Sequence, residues 1–214
     1  MKESEEFVSS LNSKCNFEGQ FLKNLRENSR QDGIPVMLRD TSQFLAMLVK
    51  SKAPKNILEI GTAVGYSGSI LLKYAGVDAR LTTIEVDEES IEKAKKNFNS
   101  QNFYQRVRIF QGDSTEIIPV MSGKFDFIFV DGPKSQYNTY LPYLKKMLTS
   151  NGMMVCDNVL FRDMVAGKNE IPKRMVSMIN NMRDFLNVLT ADEDFLTSVY
   201  NIGDGVSVSI KIKG

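Results

Sequence analysis

Ile57-Leu58-Glu59-Ile60-Gly61-Thr62-Ala63-Val64-Gly65-Tyr66-Ser67 is the stretch on which the fold turns. Asn56–Ile60 is a short apolar run that reads as a strand, and Tyr66–Tyr74 reads as a helix. Between them, Gly61 and Gly65 let the backbone turn sharply and let a ligand approach with no side chain in the way. A dinucleotide fingerprint would place glycine where this chain has Ala63, and a pyrophosphate would be opposed by Glu59. An acidic residue before the turn suits a cationic ligand instead.

Outward from this turn, short apolar runs alternate with helical stretches. Ala79–Glu85, Val107–Gln111, Phe125–Val130 and Met153–Cys156 read as strands. Phe125–Val130 is apolar at every position but Asp126, much as a strand buried on both faces should be. Helices are expected over Glu88–Ser100, Tyr137–Leu148 and Ile171–Asn187, with Asn151-Gly152 ending the second before its strand. Phe195–Tyr200 and Val206–Ile212, separated by Asn201-Ile-Gly-Asp-Gly205, form a strand pair with a turn between them. The expected fold is therefore α/β: a Rossmann-like, doubly wound, seven-stranded sheet with one antiparallel strand. Phe17–Asn28 and Thr41–Ser51 read as helices, which makes residues 1–52 a helical N-terminal cap on a core at 53–214, all one domain.

Composition narrows the chemistry. The chain has no histidine, which removes imidazole bases, histidine-dependent triads and histidine-containing zinc sites. Any metal must then be held mainly by oxygen, which favours Mg²⁺, Mn²⁺ or Ca²⁺. Cys15 and Cys156 sit in such different settings that a disulfide framework is not expected. Met1–Ser10 lacks an apolar run and no stretch approaches the ~20 apolar residues of a membrane span, so a cytoplasmic location is the default expectation. The net charge of +1 gives no bulk signal for nucleic acid, although Arg162, Lys168, Lys173 and Arg174 form a loose basic segment.

Candidate site residues fall at strand ends. Glu85 ends the second strand, where a carboxylate reaches ribose hydroxyls, and Gly112-Asp113-Ser114 after the third is placed to flank an adenine. Two further strands run into Asp131-Gly-Pro-Lys134 and into Asp157-Asn158. If these strands are parallel neighbours, Asp131, Asp157 and Asn158 meet at the carboxyl edge as two carboxylates and one amide, a hard site matched to Mg²⁺.

Glu59-x-Gly61-Thr62-x-x-Gly65-Tyr66-Ser67, Glu85, Asp131-x-x-Lys134-x-x-Tyr137 and Asp157-Asn158 resemble the cation-dependent, S-adenosylmethionine-dependent O-methyltransferases of the catechol and caffeoyl-CoA group. The resemblance implies metal ligands at Asp131, Asp157 and Asn158 and a catalytic base at Lys134. It implies cofactor contacts by Glu59, Gly61, Ser67, Glu85 and Ser114, with Met37, Gly112, Asp113 and Asp131 beside them, and a homodimer. Where catechol enzymes carry His-Trp after the first ligand aspartate, this chain has Gly132-Pro133, so their aromatic gate is missing.

Within that family, Gly33-Ile-Pro35, the short metal loop and the basic segment resemble the bacterial enzymes that methylate 5-hydroxyuridine in tRNA anticodons. On that resemblance Tyr137 approaches the acceptor, while Arg39, Arg162, Lys168, Lys173 and Arg174 meet flanking phosphates. A small catechol or hydroxycinnamoyl acceptor is the alternative with the same chemistry. A nicotinamide-dependent dehydrogenase and a non-catalytic adenosine-binding module stand further off.

Overall fold

A computed structural model describes residues 2–213; Met1 and Gly214, which the domain expectation includes, lie outside them. Three helices, α1 (Lys2–Ser13), α2 (Gly19–Gln31) and α3 (Arg39–Lys52), precede β1 (Asn56–Ile60). The chain continues through α4 (Tyr66–Tyr74), β2 (Arg80–Glu85), α5 (Glu88–Ser100), β3 (Val107–Gln111), α6 (Ser114–Val120) and β4 (Phe125–Val130). It ends with α7 (Tyr137–Met147), β5 (Leu148–Asp157), α8 (Val176–Ala191), β6 (Phe195–Tyr200) and β7 (Val206–Lys211).

The seven strands lie in the order β3-β2-β1-β4-β5-β7-β6, and β7 runs antiparallel to both of its neighbours, as expected. The strand order reverses between β1 and β4, which pair in parallel from Ile57↔Phe127 to Ile60↔Val130. A reversal of this kind opens a crevice at the carboxyl ends of the two strands. Alternate residues of the central strands feed two cores. Ile57, Phe127 and Phe129 pack with Leu22, Leu45, Val49, Ile70, Leu71 and Phe98 on the side of α2 to α5. Leu58, Ile60, Ile128 and Val130 pack with Tyr140, Leu144, Ile179, Met182 and Phe185 on the other side. The apolar faces of α2 and α3 thus share a core with the sheet, as a capping segment must when it is too small to bury its own.

Several boundaries differ from expectation. α1 was not foreseen, because its apolar residues Phe7, Val8 and Leu11 remain exposed and give no strong periodic signal. α6 was hidden by Pro119, which the helix tolerates in its last turn beneath the Asp113 cap on the Thr115 N–H. Asn151-Gly152 does not end a helix but lies inside β5 at a shift of register, where Leu148 pairs with Phe125 and Met153 with Phe127 and Asn151 has φ 58°. α8 starts at Val176 rather than Ile171, preceded by a single 3₁₀ turn over Lys173–Met175, since Pro172 stops any earlier helix. Among the described residues no helix is long and apolar enough to cross a membrane.

Candidate active site

The carboxyl ends of β1, β2, β4 and β5, with the turn between β6 and β7, enclose a pocket of about 650 Å³. The turn after β1 forms its floor. Gly61 has φ +95°, and a Cβ there would lie 2.6 Å from the Asp131 carbonyl oxygen, so only glycine lets the two strand ends meet. Ala63, where a dinucleotide fingerprint would have glycine, still adopts a left-handed backbone at φ 43°. Its N–H donates to Glu85 Oε2 at 2.8 Å, while Val86 and Asp87 N–H groups donate to Glu85 Oε1 at 2.8 and 3.0 Å. Glu85 is thereby held at the pocket wall with acceptor capacity to spare for a hydroxyl pair.

Glu59 lies beneath the wall rather than in it. It is 0% exposed, and its oxygens accept from Ser67 Oγ at 2.6 Å and Thr83 Oγ1 at 2.7 Å. Because Thr83 spends its proton on Glu59, Thr62 must donate in their 2.6 Å contact. Burial, opposed by these hydroxyls and reinforced by the charges of Asp131 and Glu85, pushes Glu59 up to about 8. An acid raised from 4.5 in the unfolded chain contributes stability that is full below about pH 4.5 and is lost as pH rises through about 8. We expect the melting temperature of the ligand-free protein to fall over that window, and Glu59→Gln to flatten part of the slope. Equal slopes in thermal melts of the two proteins from pH 5 to 9 would refute the assignment.

The opposite wall carries the paired strand ends. Asp131 follows β4 and accepts from Lys134 Nζ at 2.6 Å. Asp157 closes β5, is 2% exposed, and accepts the Asn158 N–H at 2.7 Å. Burial first, then the Asp131 charge, raises the Asp157 carboxyl above its ordinary value. Two carboxylates that repel one another in a buried corner, with one lysine between them and an amide beside them, have a surplus of negative charge. That surplus fits a hard divalent cation held by Asp131, Asp157 and Asn158. Among the described residues no group of three or more Asp, Glu, Cys or His side chains is placed to hold a metal; Asn158 lines the same pocket as the two aspartates. It has φ 57°, a conformation asparagine accepts more readily than most residues.

The structure brings most of the expected residues together. Met37, Gly61, Ser67, Glu85, Gly112, Asp113, Ser114, Asp131, Lys134, Asp157, Asn158 and Arg162 all line the pocket. Asp113 and Ser114 have other partners too: Asp113 caps α6, and Ser114 Oγ lies 2.7 Å from the Tyr140 hydroxyl. Two other expectations are corrected. Tyr137 is buried, its hydroxyl shared between the carbonyls of Val130 and Asp157 at 3.1 Å each, so it ties β4 to β5 and does not reach an acceptor. Arg39 donates to the carbonyls of Asn12 and Cys15 and holds the α1–α2 linker instead of a phosphate. Lys168, 3.6 Å from Asp163, and Arg174 are exposed on the segment beyond the pocket wall, outside the cavity itself.

Thr62, Tyr66, Phe161 and Asp204 line the pocket without having been foreseen. The Gly-Asp-Gly signal at 203–205 marked only a turn, and nothing local shows that Asp204 carbonyl accepts from Leu160 and Phe161 across the chain. Five carboxylates (Glu85, Asp113, Asp131, Asp157, Asp204) face two cations (Lys134, Arg162) around the cavity, which suits positively charged ligands.

The sequence matches the family model described as O-methyltransferase over residues 11–212. The chain belongs to the O-methyltransferase family. Enzymes of this family draw their methyl group from S-adenosylmethionine. The O-methyltransferase is 30% identical over 203 residues to tapetum-specific methyltransferase 1 of Arabidopsis thaliana, covering 89% of this chain and 86% of that one. It is 29% identical, with the same coverage, to a caffeoyl-CoA O-methyltransferase of Populus kitakamiensis. A candidate caffeoyl-CoA O-methyltransferase from Staphylococcus aureus has the same fold at TM-score 0.85 and 29% identity, over 97% of this chain and 99% of that one. The O-methyltransferase TomG of Streptomyces achromogenes, solved with S-adenosylmethionine, shares the fold at TM-score 0.82 and 22% identity, over 96% of this chain and 95% of that one.

Proposed function

We propose that this O-methyltransferase moves the methyl group of S-adenosylmethionine onto one of two vicinal oxygens, beside a divalent cation, and that its acceptor is the 5-hydroxyuridine of a tRNA anticodon. The observation that carries the chemistry is the convergence of Asp131, Asp157, Asn158 and Lys134 on one wall of a pocket whose other wall is Gly61, Ser67 and Glu85. Glu85 suits the ribose hydroxyls, and the acidic surroundings suit the sulfonium and ammonium groups. Asp131, Asp157 and Asn158 would hold Mg²⁺ or a similar cation, which when bound supplies charge that makes a chelated hydroxyl more acidic. Lys134 Nζ is placed to take that hydroxyl proton; the oxyanion attacks the methyl carbon, and the carbon–sulfur bond breaks to leave S-adenosylhomocysteine. Holding both reactants in one cavity gives the proximity that such a displacement needs.

The acceptor rests on the rim. Arg162 stands at the mouth, Lys168, Lys173 and Arg174 follow on the exposed segment beyond it, and Gly132-Pro133 adds no aromatic ring after Asp131. A splayed anticodon base could enter there while its phosphates meet the basic segment. The 5-hydroxyl and 4-carbonyl of the base supply the vicinal oxygens. A small catechol-like acceptor is the second reading, favoured by 31% identity over 143 residues to a catechol O-methyltransferase of Niastella koreensis, 64% of this chain.

Labelled S-adenosylmethionine with Mg²⁺ or EDTA separates these outcomes. Label in hydroxyuridine-containing tRNA, lost in EDTA and weakened by Arg162→Glu and by salt, is expected. Label in catechols with blank tRNA would move the enzyme to small molecules. Transfer unaffected by EDTA and by Asp131→Asn would remove the cation.

A further inference from the structure

The linker between α1 and α2 is gripped from four sides. Glu18, 6% exposed, accepts from Arg26 Nε at 2.7 Å and Nη2 at 3.1 Å, and from the Tyr66 hydroxyl at 2.6 Å. Lys73 Nζ donates to the carbonyls of Phe17 and Glu18 at 2.8 and 2.7 Å, and the Tyr74 hydroxyl donates to Phe17 as well. Arg39 stacks over the Phe17 ring at 5.3 Å and donates to the Asn12 and Cys15 carbonyls at 3.0 and 2.7 Å. Glu18 is thus a buried carboxylate with its charge matched by Arg26 and its second strong partner drawn from the first residue of α4.

That partner matters because of where it stands. Tyr66 directly follows Gly65, whose φ of +80° starts α4, and directly precedes Ser67, whose hydroxyl holds Glu59. Tyr66 also lines the pocket, as do residues 34–38 between α2 and α3. A single carboxylate therefore links the N-terminal helices to the pocket floor.

We propose that Glu18 is a positioning residue for the cofactor: by fixing Tyr66 it sets the Gly61–Ser67 turn against the N-terminal helices, so that an ordered cap and a tight cofactor pocket form together. This rests on the assignment of the pocket to S-adenosylmethionine. Glu18 touches no ligand; it acts through the Tyr66 ring and the turn behind it. A hydrogen bond to a charged, buried partner is stronger than a neutral one, which gives this contact the leverage to hold a loop.

The full-length enzyme is titrated calorimetrically with S-adenosylhomocysteine and assayed with S-adenosylmethionine. Glu18→Gln is expected to raise Kd and the cofactor KM roughly tenfold, with kcat at saturation within about twofold of wild type. Tyr66→Phe, which removes one oxygen, is expected to raise both about threefold to tenfold. In the double variant the second change adds little, because the contact is already gone. Asp192→Asn, which cuts the remote ion pair with Lys145, should lower the melting temperature and leave Kd unchanged. If Glu18→Gln and Tyr66→Phe behave like Asp192→Asn, or if their effects on Kd multiply in the double variant, the proposal is overturned. Should Glu18→Gln fail to fold, Tyr66→Phe alone decides, an unchanged Kd overturning the proposal. If the wild-type enzyme binds neither cofactor form, the pocket assignment has failed, and that is seen before any variant is compared.

Discussion

Lys134→Met should lower kcat by roughly 10²–10⁴-fold, the usual contribution of a positioned proton acceptor, while S-adenosylhomocysteine still binds. The lysine reaches Asp131 at 2.6 Å across one turn of chain, and its side chain is 17% exposed, so its amine is fixed inside the pocket. Methionine keeps the length and apolar stem and removes the nitrogen. Lys134→Arg sharpens the test, because arginine keeps the positive charge beside Asp131 but has no free-base form near neutral pH. If Lys134 serves as the proton acceptor, both variants lose kcat together. Single-turnover rates with saturating acceptor check this; near wild-type kcat in Lys134→Arg would reduce the lysine to an electrostatic partner of Asp131.

Gly61→Ala is the second large effect. The backbone there sits at φ +95°, which side chains rarely adopt, at a cost of about 1–3 kcal/mol. The added carbon would also press to 2.6 Å from Asp131 O and 3.1 Å from Asp131 C, both backbone atoms that cannot rotate away. Overpacking of this kind costs about 1–3 kcal/mol more. Relief requires β1 and β4 to part at their carboxyl ends, which carries the cofactor turn away from Asp131. A lower melting temperature and a cofactor affinity weaker by more than about tenfold, some 1.4 kcal/mol, are expected. Gly76→Ala is the control, since a Cβ there meets nothing within 4 Å. Equal melting temperatures and affinities for the two variants would show that the close approach at Gly61 has no consequence.

Much of the architecture was legible because its determinants are local. Apolar runs such as Phe125–Val130 must be buried on both faces, and helices such as Glu88–Ser100 carry acidic residues in their first turn. Short or interrupted elements were not legible: α6 depends on one cap at Asp113 and carries Pro119, and β5 shifts its register around Asn151-Gly152. Long polar side chains were read least well. Arg39 reads as a phosphate contact, but a guanidinium has five donors, and whether they meet phosphates or backbone carbonyls depends on what the fold places around them.

The sequence by itself determined that strand ends would present Glu85, Asp131, Asp157 and Asn158 to one edge, because the order of strands and helices leaves few ways to wind a parallel sheet. Only the tertiary structure decided which carboxylates face the cavity and which lie beneath it. Glu85 ends β2 and Glu59 stands one residue before the end of β1, yet Glu59 is sealed under Ser67 and Thr83 while Glu85 lines the wall. That difference depends on how α4 and β2 pack over the end of β1, and burial there raises the Glu59 carboxyl.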